Sequence, residues 1–212
     1  MPGDYQQELK DLYALVREYG TLAVGLLHDS VEAFNNRVVP QALGVLKQEP
    51  HADDLKKDVE KRAIRIITTH LPMAGDMRRI IAIIKASSDL ERIADNAVQI
   101  AILARDATQK KDPKILDLSE AGEKTVTLIQ NALEAFLEEN DAKVKAADGI
   151  EEEVDTLYKS ITRETLTYMS QNPQNIEAAI KVFNISRRLE RAADHGENIA
   201  EHYTSIIKEE TA

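Results

Sequence analysis

Apolar residues recur at three- and four-residue spacings along almost the whole chain, the pattern that gives a helix one buried face. Over residues 5–33 the stripe is Leu9, Leu12, Tyr13, Val16, Leu22, Leu26, Leu27 and Val31. The same rhythm predicts helices over 37–69 and 76–108, then over 115–139, 141–171 and 174–209. Residues 106–114 are polar, contain Pro113 and interrupt the rhythm, so they are the predicted boundary between a first domain, 1–108, and a second, 114–212. Each half also breaks at a proline before its third helix, at Pro72 and at Pro173. Proline cannot donate the helical hydrogen bond, and Asp76 or Asn172 is the predicted cap of the helix that follows.

The halves repeat in letters as well as in rhythm. Leu90-Glu91-Arg92-Ile93-Ala94-Asp95-Asn96 is answered, 99 residues later, by Leu189-Glu190-Arg191-Ala192-Ala193-Asp194-His195. Gln99-Ile100-Ala101 against Asn198-Ile199-Ala200 continues the match more weakly. A period this long, seen twice, indicates domain duplication and not a solenoid. The expected fold is all-α: two three-helix bundles related by internal duplication.

Composition narrows the picture. Only six Tyr, three Phe and no Trp are present, so the core must come from Leu, Ile, Val and Ala, which suits helix packing. With 43% hydrophobic residues a folded core is expected; with 30% charge and a net of −10, so is a highly charged surface. Without cysteine there is no disulfide, thiolate zinc site or thiol nucleophile. The first residues show no basic start or apolar run, and the longest apolar stretch, Ile80 to Ile84, is far too short for a membrane span. A soluble cytoplasmic protein is therefore expected, with no direct membrane insertion. The acidic balance argues against nucleic acid as a partner. Arg78-Arg79 and Arg187-Arg188 are expected to be solvated or ion-paired.

Four acidic pairs share a four-residue spacing that places both acids on one helix face: Glu49/Asp53, Glu91/Asp95, Glu151/Asp155 and Glu190/Asp194. Antiparallel packing of the second and third helices would bring two pairs together in each half. Facing carboxylates repel unless protonated, solvated or bridged by cations, and such oxygen-rich clusters suit hard ions such as Mg, Mn, Ca or iron. A second reading stays open, because 37 acids in 212 residues put many pairs on solvated faces by accident. Apolar Ile84, Val98 and Ile102 share the stripe of Glu91 and Asp95, while Glu190, Asp194, Glu197 and Glu201 form an acidic stripe with Asn198 alongside. His195 reads as a surface or capping residue, or as a member of a metal shell; His28, His51, His70 and His202 read as surface or packing residues. No Glu-x-x-His pair or Gly-rich phosphate loop occurs, and no histidine is placed to activate Ser87 or Ser88. No catalytic residue or organic cofactor is expected, and the chain does not read as an enzyme.

At two places the residues are similar to a known family. The first is Leu71-Pro72-Met73-Ala74-Gly75-Asp76-Met77-Arg78 with Ser88 to Asn96; the second is Val154-Asp155-Thr156-Leu157-Tyr158 with Leu189 to Glu201. They resemble the two repeats of the PhoU family of phosphate-signalling regulators, in order and spacing, over nearly the whole chain. The resemblance implies a negative regulator of phosphate uptake and of the phosphate-starvation response. Its implied partners are the ATPase subunit of the phosphate ABC transporter and a phosphate-responsive sensor kinase, and a homodimer is expected. It further implies metal (Fe, Zn, Mn or Mg) on Glu49, Asp53, Glu91 and Asp95 in one bundle and on Glu151, Asp155, Glu190, Asp194 and Asn198 in the other. Three departures bear on this: Pro50 directly follows Glu49, Asn96 stands where His is usual, and Gln99 where Asn is usual. The second bundle is thus the favoured metal site. Alternative readings are an accessory protein of a low-affinity phosphate permease and a carboxylate metal-handling or redox protein.

Overall fold

Eight glycines and six prolines leave long stretches in which nothing interrupts helical hydrogen bonding, and Ala, Leu, Glu and Lys fill them. The structure, a computed structural model, describes residues 2–207. Six helices follow one another: α1 (Pro2–Asn36), α2 (Val39–His70), α3 (Ala74–Gln109), α4 (Ser119–Glu138), α5 (Asp141–Gln171) and α6 (Ile176–His202). A 3₁₀ turn, Pro173–Asn175, precedes α6, and a π turn, Tyr203–Ile207, follows it. Residues 208 and 209 of the predicted sixth helix lie outside the described residues. No strand occurs among those that are described.

Helix ends depart from expectation in three places. The fourth helix starts at Ser119 and not near 115, because Asn35 of α1 pins that point. Its Oδ1 accepts from the Leu118 N–H at 3.0 Å and its Nδ2 donates to Ser119 Oγ at 3.0 Å. Neither predicted cap acts as one. Asp76 falls inside the first turn of α3, where its charge meets the positive end of the helix dipole. Asn172 closes α5, its Nδ2 donating to the Tyr168 carbonyl at 3.2 Å, and caps nothing after it. Helix α2 meanwhile runs unbroken through Pro50.

Helices α1–α3 pack on one another, as do α4–α6, and the two bundles share one continuous core because α3 lies against α6 and α1 against α4. Both crossings are antiparallel and follow an internal twofold. Counterparts lie 102 positions apart in α1/α4 and α2/α5, and 99 apart in α3/α6. A Cβ on Gly20 would stand 2.8 Å from Leu133, and one on Gly122 would stand 2.8 Å from Val31. Gly122 is the counterpart of Gly20 and Leu133 that of Val31, so one contact is made twice and requires glycine twice. On the other side, Ser87 and its counterpart Ser186 are both buried, each donating to the carbonyl three residues back. The linker is fastened to α6 through Lys181 and Asp112, 2.5 Å apart, and through the ion pair Lys110–Glu177.

Candidate functional site

The four acids named in the first bundle come to one place. Glu49 and Asp53 on α2, Glu91 and Asp95 on α3, and Tyr19 on α1 line a single depression floored by Ala52, Ala94 and Val98. Burial, and then the neighbouring Glu91, hold the Asp95 carboxyl above its ordinary value. The Tyr19 hydroxyl is buried without a hydrogen-bond partner, and burial plus Glu91, Asp53 and Asp95 push its pKa far up. Two cationic side chains are already present: Arg92 Nη1 lies 3.6 Å from Asp95 Oδ2, in an exposed pair, and Lys56 reaches Glu91. Lys56 Nζ donates to Glu91 Oε2 at 2.7 Å and lies 3.8 Å from Glu60, and its hydrogen bond to Glu91 raises its own pKa. The first cluster is therefore partly neutralised from within.

The second bundle repeats the frame with different balance. Burial, then Asp194, hold Glu190 up; burial, then Asp155, hold Asp194 up against the opposing effect of His195. Glu197, at the place of buried Val98, is pushed up to about 7 by burial and then by Glu151, Asp194, Asp155 and Glu201. The position of Lys56 is taken by Tyr158. A lysine does reach Asp155 from its own helix, Lys159 at 3.1 Å, but that pair is well exposed. Among the described residues, no three His, Asp or Glu side chains stand close enough together, as arranged here, to chelate an ion. The donor set itself suits a hard divalent cation, and the mutual repulsion of these carboxylates is what such an ion would relieve.

The polar centre that sequence reasoning missed lies between the bundles. Asp89 on α3 is nearly buried, and three groups of α6 converge on it. His195 Nδ1 is 2.9 Å from Oδ1, Asn198 Nδ2 donates to Oδ1 at 3.2 Å, and His202 Nε2 is 2.8 Å from Oδ2. Burial alone would raise this carboxyl, but the hydrogen bonds of His195, His202 and Asn198 win and hold it at about 2. The twofold puts Arg188 opposite Asn96 in the counterpart position, at a looser 3.4 Å. His195 and His202 thus share one partner, and Asn198, named as a metal ligand, spends its amide N–H on the same Asp89. Seven residues separate the two histidines, two turns of one face, which is the one signal that linked them in advance.

Comparison with known proteins gives this arrangement a lineage. The PhoU domain matches twice, over residues 16–104 and 118–202. A phosphate-specific transport system accessory protein PhoU homolog of Caulobacter vibrioides is 35% identical over 93% of this chain and 86% of its own length. The homolog of the same name from Rhizobium meliloti is 30% identical over 93% of this chain and 84% of its own. The crystal structure of PhoU from Pseudomonas aeruginosa superposes with a TM-score of 0.92 at 28% identity, covering 97% of this chain and 99% of that one. With two matched repeats spanning most of its length and the same six-helix frame, the chain belongs to the PhoU family.

Proposed function

We propose that this protein is a cytoplasmic, non-catalytic adaptor of phosphate transport that contacts the ATPase subunit of a phosphate ABC transporter and a phosphate-responsive sensor kinase, quieting both when phosphate is plentiful. The observation that carries the reading is the end-to-end match of both repeats to proteins named as accessory to the phosphate-specific transport system. Six helices tied by a shared core and a fastened linker support a rigid, docking role, and among the described residues no helix is long and apolar enough to cross a membrane. A homodimer belongs to the same reading.

Metal is part of the proposal. Asp155, Glu190, Asp194, Glu197 and Glu151 would hold a divalent cation in the second bundle, where Tyr158 stands in the place of Lys56. Glu49, Asp53, Glu91 and Asp95 would do so more weakly, beside Lys56. An ion there supplies charge neutralisation and stiffens the contact of the second and third helices. The test is affinity capture from phosphate-replete cells together with deletion of the gene. Recovery of the transporter ATPase, and phosphate-regulated expression that stays on at high phosphate in the deletion, are expected. Capture of neither partner, with unchanged expression, overturns the reading.

A further inference from the structure

The two hairpins that join the second and third helices are counterparts, yet their tips differ in chemistry. In the first, the turn Leu71-Pro72-Met73 displays two large apolar side chains almost wholly to solvent, Leu71 at 80% and Met73 at 82%. Leu71 also sits in the left-handed region, at φ 45°, a conformation that side chains with a Cβ seldom adopt. Behind the tip, Ile64 on α2 and Ile81 on α3 are exposed at 57% and 41%. Soluble surfaces seldom gather exposed Leu, Met and Ile at one end without a use for them.

The charge around this tip opposes that of the molecule. Residues 61–85 hold six Lys and Arg (Lys61, Arg62, Arg65, Arg78, Arg79, Lys85) against one acid, Asp76, in a chain of net −10. Arg65 is engaged by Glu8, and Arg79 by Glu139. Lys61, Arg62 and Lys85 are exposed. By helical spacing Lys61 lies on the outward face of Ile64, and Arg78 and Lys85 on that of Ile81. The second hairpin lacks this design. Its turn is Asn172-Pro173-Gln174-Asn175, and over the counterpart stretch Arg163 and Lys181 are matched by Glu164 and Glu177. Leu166 and Ile180 repeat the exposed flanks and Ile176, just past the turn, is exposed at 41%, but the turn itself carries no large apolar side chain and the basic excess is missing.

We infer that the α2–α3 hairpin tip is a peripheral membrane-docking element, with Leu71 and Met73 entering the headgroup region of an anionic phospholipid surface and Lys61, Arg62 and Lys85 meeting its phosphates. The charge pattern selects this occupant. A molecule of net −10 is repelled overall by an anionic bilayer and less so at a basic end, so the field favours the tip facing the lipid. Apolar insertion and basic attraction are each weak and together give reversible binding, which salt weakens.

The test is co-sedimentation of the full chain with vesicles of phosphatidylcholine alone and with vesicles in which about a third of the lipid is phosphatidylglycerol. Expected are binding to the anionic vesicles only, its loss in high salt, and at least about tenfold weaker partition for the double variant Leu71→Glu, Met73→Glu. A charge variant, Arg62→Glu with Lys85→Glu, is expected to fall by a similar factor, while Asn172→Glu with Gln174→Glu on the other hairpin binds as the parent does. Unchanged helical circular dichroism keeps each comparison valid. Equal binding to neutral vesicles, no binding to either, or equal loss from both hairpins overturns the inference. So does a tip whose variants lose capture of the transporter ATPase while the parent ignores lipid, which would make the tip a protein contact. Because vesicles contain no transporter, the outcome is independent of the regulatory role proposed above.

Discussion

The two acidic clusters occupy equivalent places on equivalent helices, and they solve the same electrostatic problem differently. In the first, Lys56 lies 2.7 Å from Glu91 and buried Val98 closes the floor. In the second, Tyr158 replaces the lysine, Glu197 replaces the valine, and the added carboxyl is pushed up to about 7. The same divergence runs along the α3/α6 contact, where Asp89 faces His195 and His202 while its counterpart Arg188 reaches only Asn96. The two halves share the backbone frame and most of the apolar positions, but not the floor residue Val98/Glu197 or the charges that offset the acids. One cluster holds a half-buried lysine against its acids; in the other a tyrosine takes that place, and the lysine that pairs with Asp155 is exposed.

The largest expected effect tests the asymmetry of the bundle contact. Asp89→Ala removes a nearly buried charge with three partners and leaves two imidazoles facing a void, for a loss of about 3 kcal/mol in urea unfolding. Arg188→Ala, its counterpart, breaks one long hydrogen bond and should cost less than about 1 kcal/mol. Equal losses would make the two sides of the twofold interchangeable. The pH dependence has a definite sign. The folded carboxyl of Asp89 lies at about 2, below its ordinary 3.8, so its contribution is complete above the ordinary value and disappears as the pH falls from there toward 2.

Next comes the cation itself. Mn or Mg at a hundredfold excess over its dissociation constant is expected to stabilise the protein by about 2.7 kcal/mol, read as a rise in melting temperature. Asp155→Asn with Asp194→Asn should abolish the response, whereas Asp53→Asn with Asp95→Asn should leave most of it. A response lost equally from either cluster would erase the distinction drawn between them, and none at all would remove metal from the proposed function.

How much of this was legible beforehand differs between backbone and balance. The periodicity of Leu12, Val16 and Leu27 and the duplicated Leu-Glu-Arg frame located six helices and their repeat, because burial at every third or fourth position leaves its mark in the letters. The same frame brought Glu49, Asp53, Glu91 and Asp95 to one depression. What stayed hidden depends on partners distant in sequence. Asp89 and His202 are 113 positions apart, and nothing local to either signals the other. The start of α4 is set by Asn35, 83 residues upstream of Leu118. Lys56 sits on the face toward α3 in a helix rich in lysine, and only the crossing distinguishes it from Lys57 and Lys61.

A smaller effect separates the floors of the clusters. The Glu197 carboxyl is raised above its ordinary 4.5 to about 7, so the folded state binds this proton more tightly than the unfolded chain does. Stability is thereby full below the ordinary value and falls as the pH rises through about 7. Glu197→Val, which copies Val98 into the second bundle, should raise stability by about 1 kcal/mol at pH ~8 and leave it unchanged at pH ~4, after allowance for solvent screening. A gain that is the same at both pH values would mean packing, and not charge, sets the difference.

The smallest effect sharpens the comparison most, because it asks whether one cluster can be turned into the other. Lys56→Met keeps the aliphatic stem of the lysine and removes its ammonium from beside Glu91, with Lys56 and Glu91 each about a quarter exposed. The pair is partly wet, so the direct cost without added cation should be under about 1 kcal/mol. Its consequence for binding is larger than its consequence for folding. Without the lysine, only the exposed Arg92, 3.6 Å from Asp95, still offsets Glu91, Asp95 and Asp53, and the first bundle comes to resemble the second, which has no lysine at that position. The variant should therefore show a second stabilising step with Mn, superposed on the first and removed by Asp53→Asn with Asp95→Asn. If Lys56→Met leaves the cation response unaltered, the lysine is only a surface ion pair, and the contrast between the clusters rests on Glu197 alone.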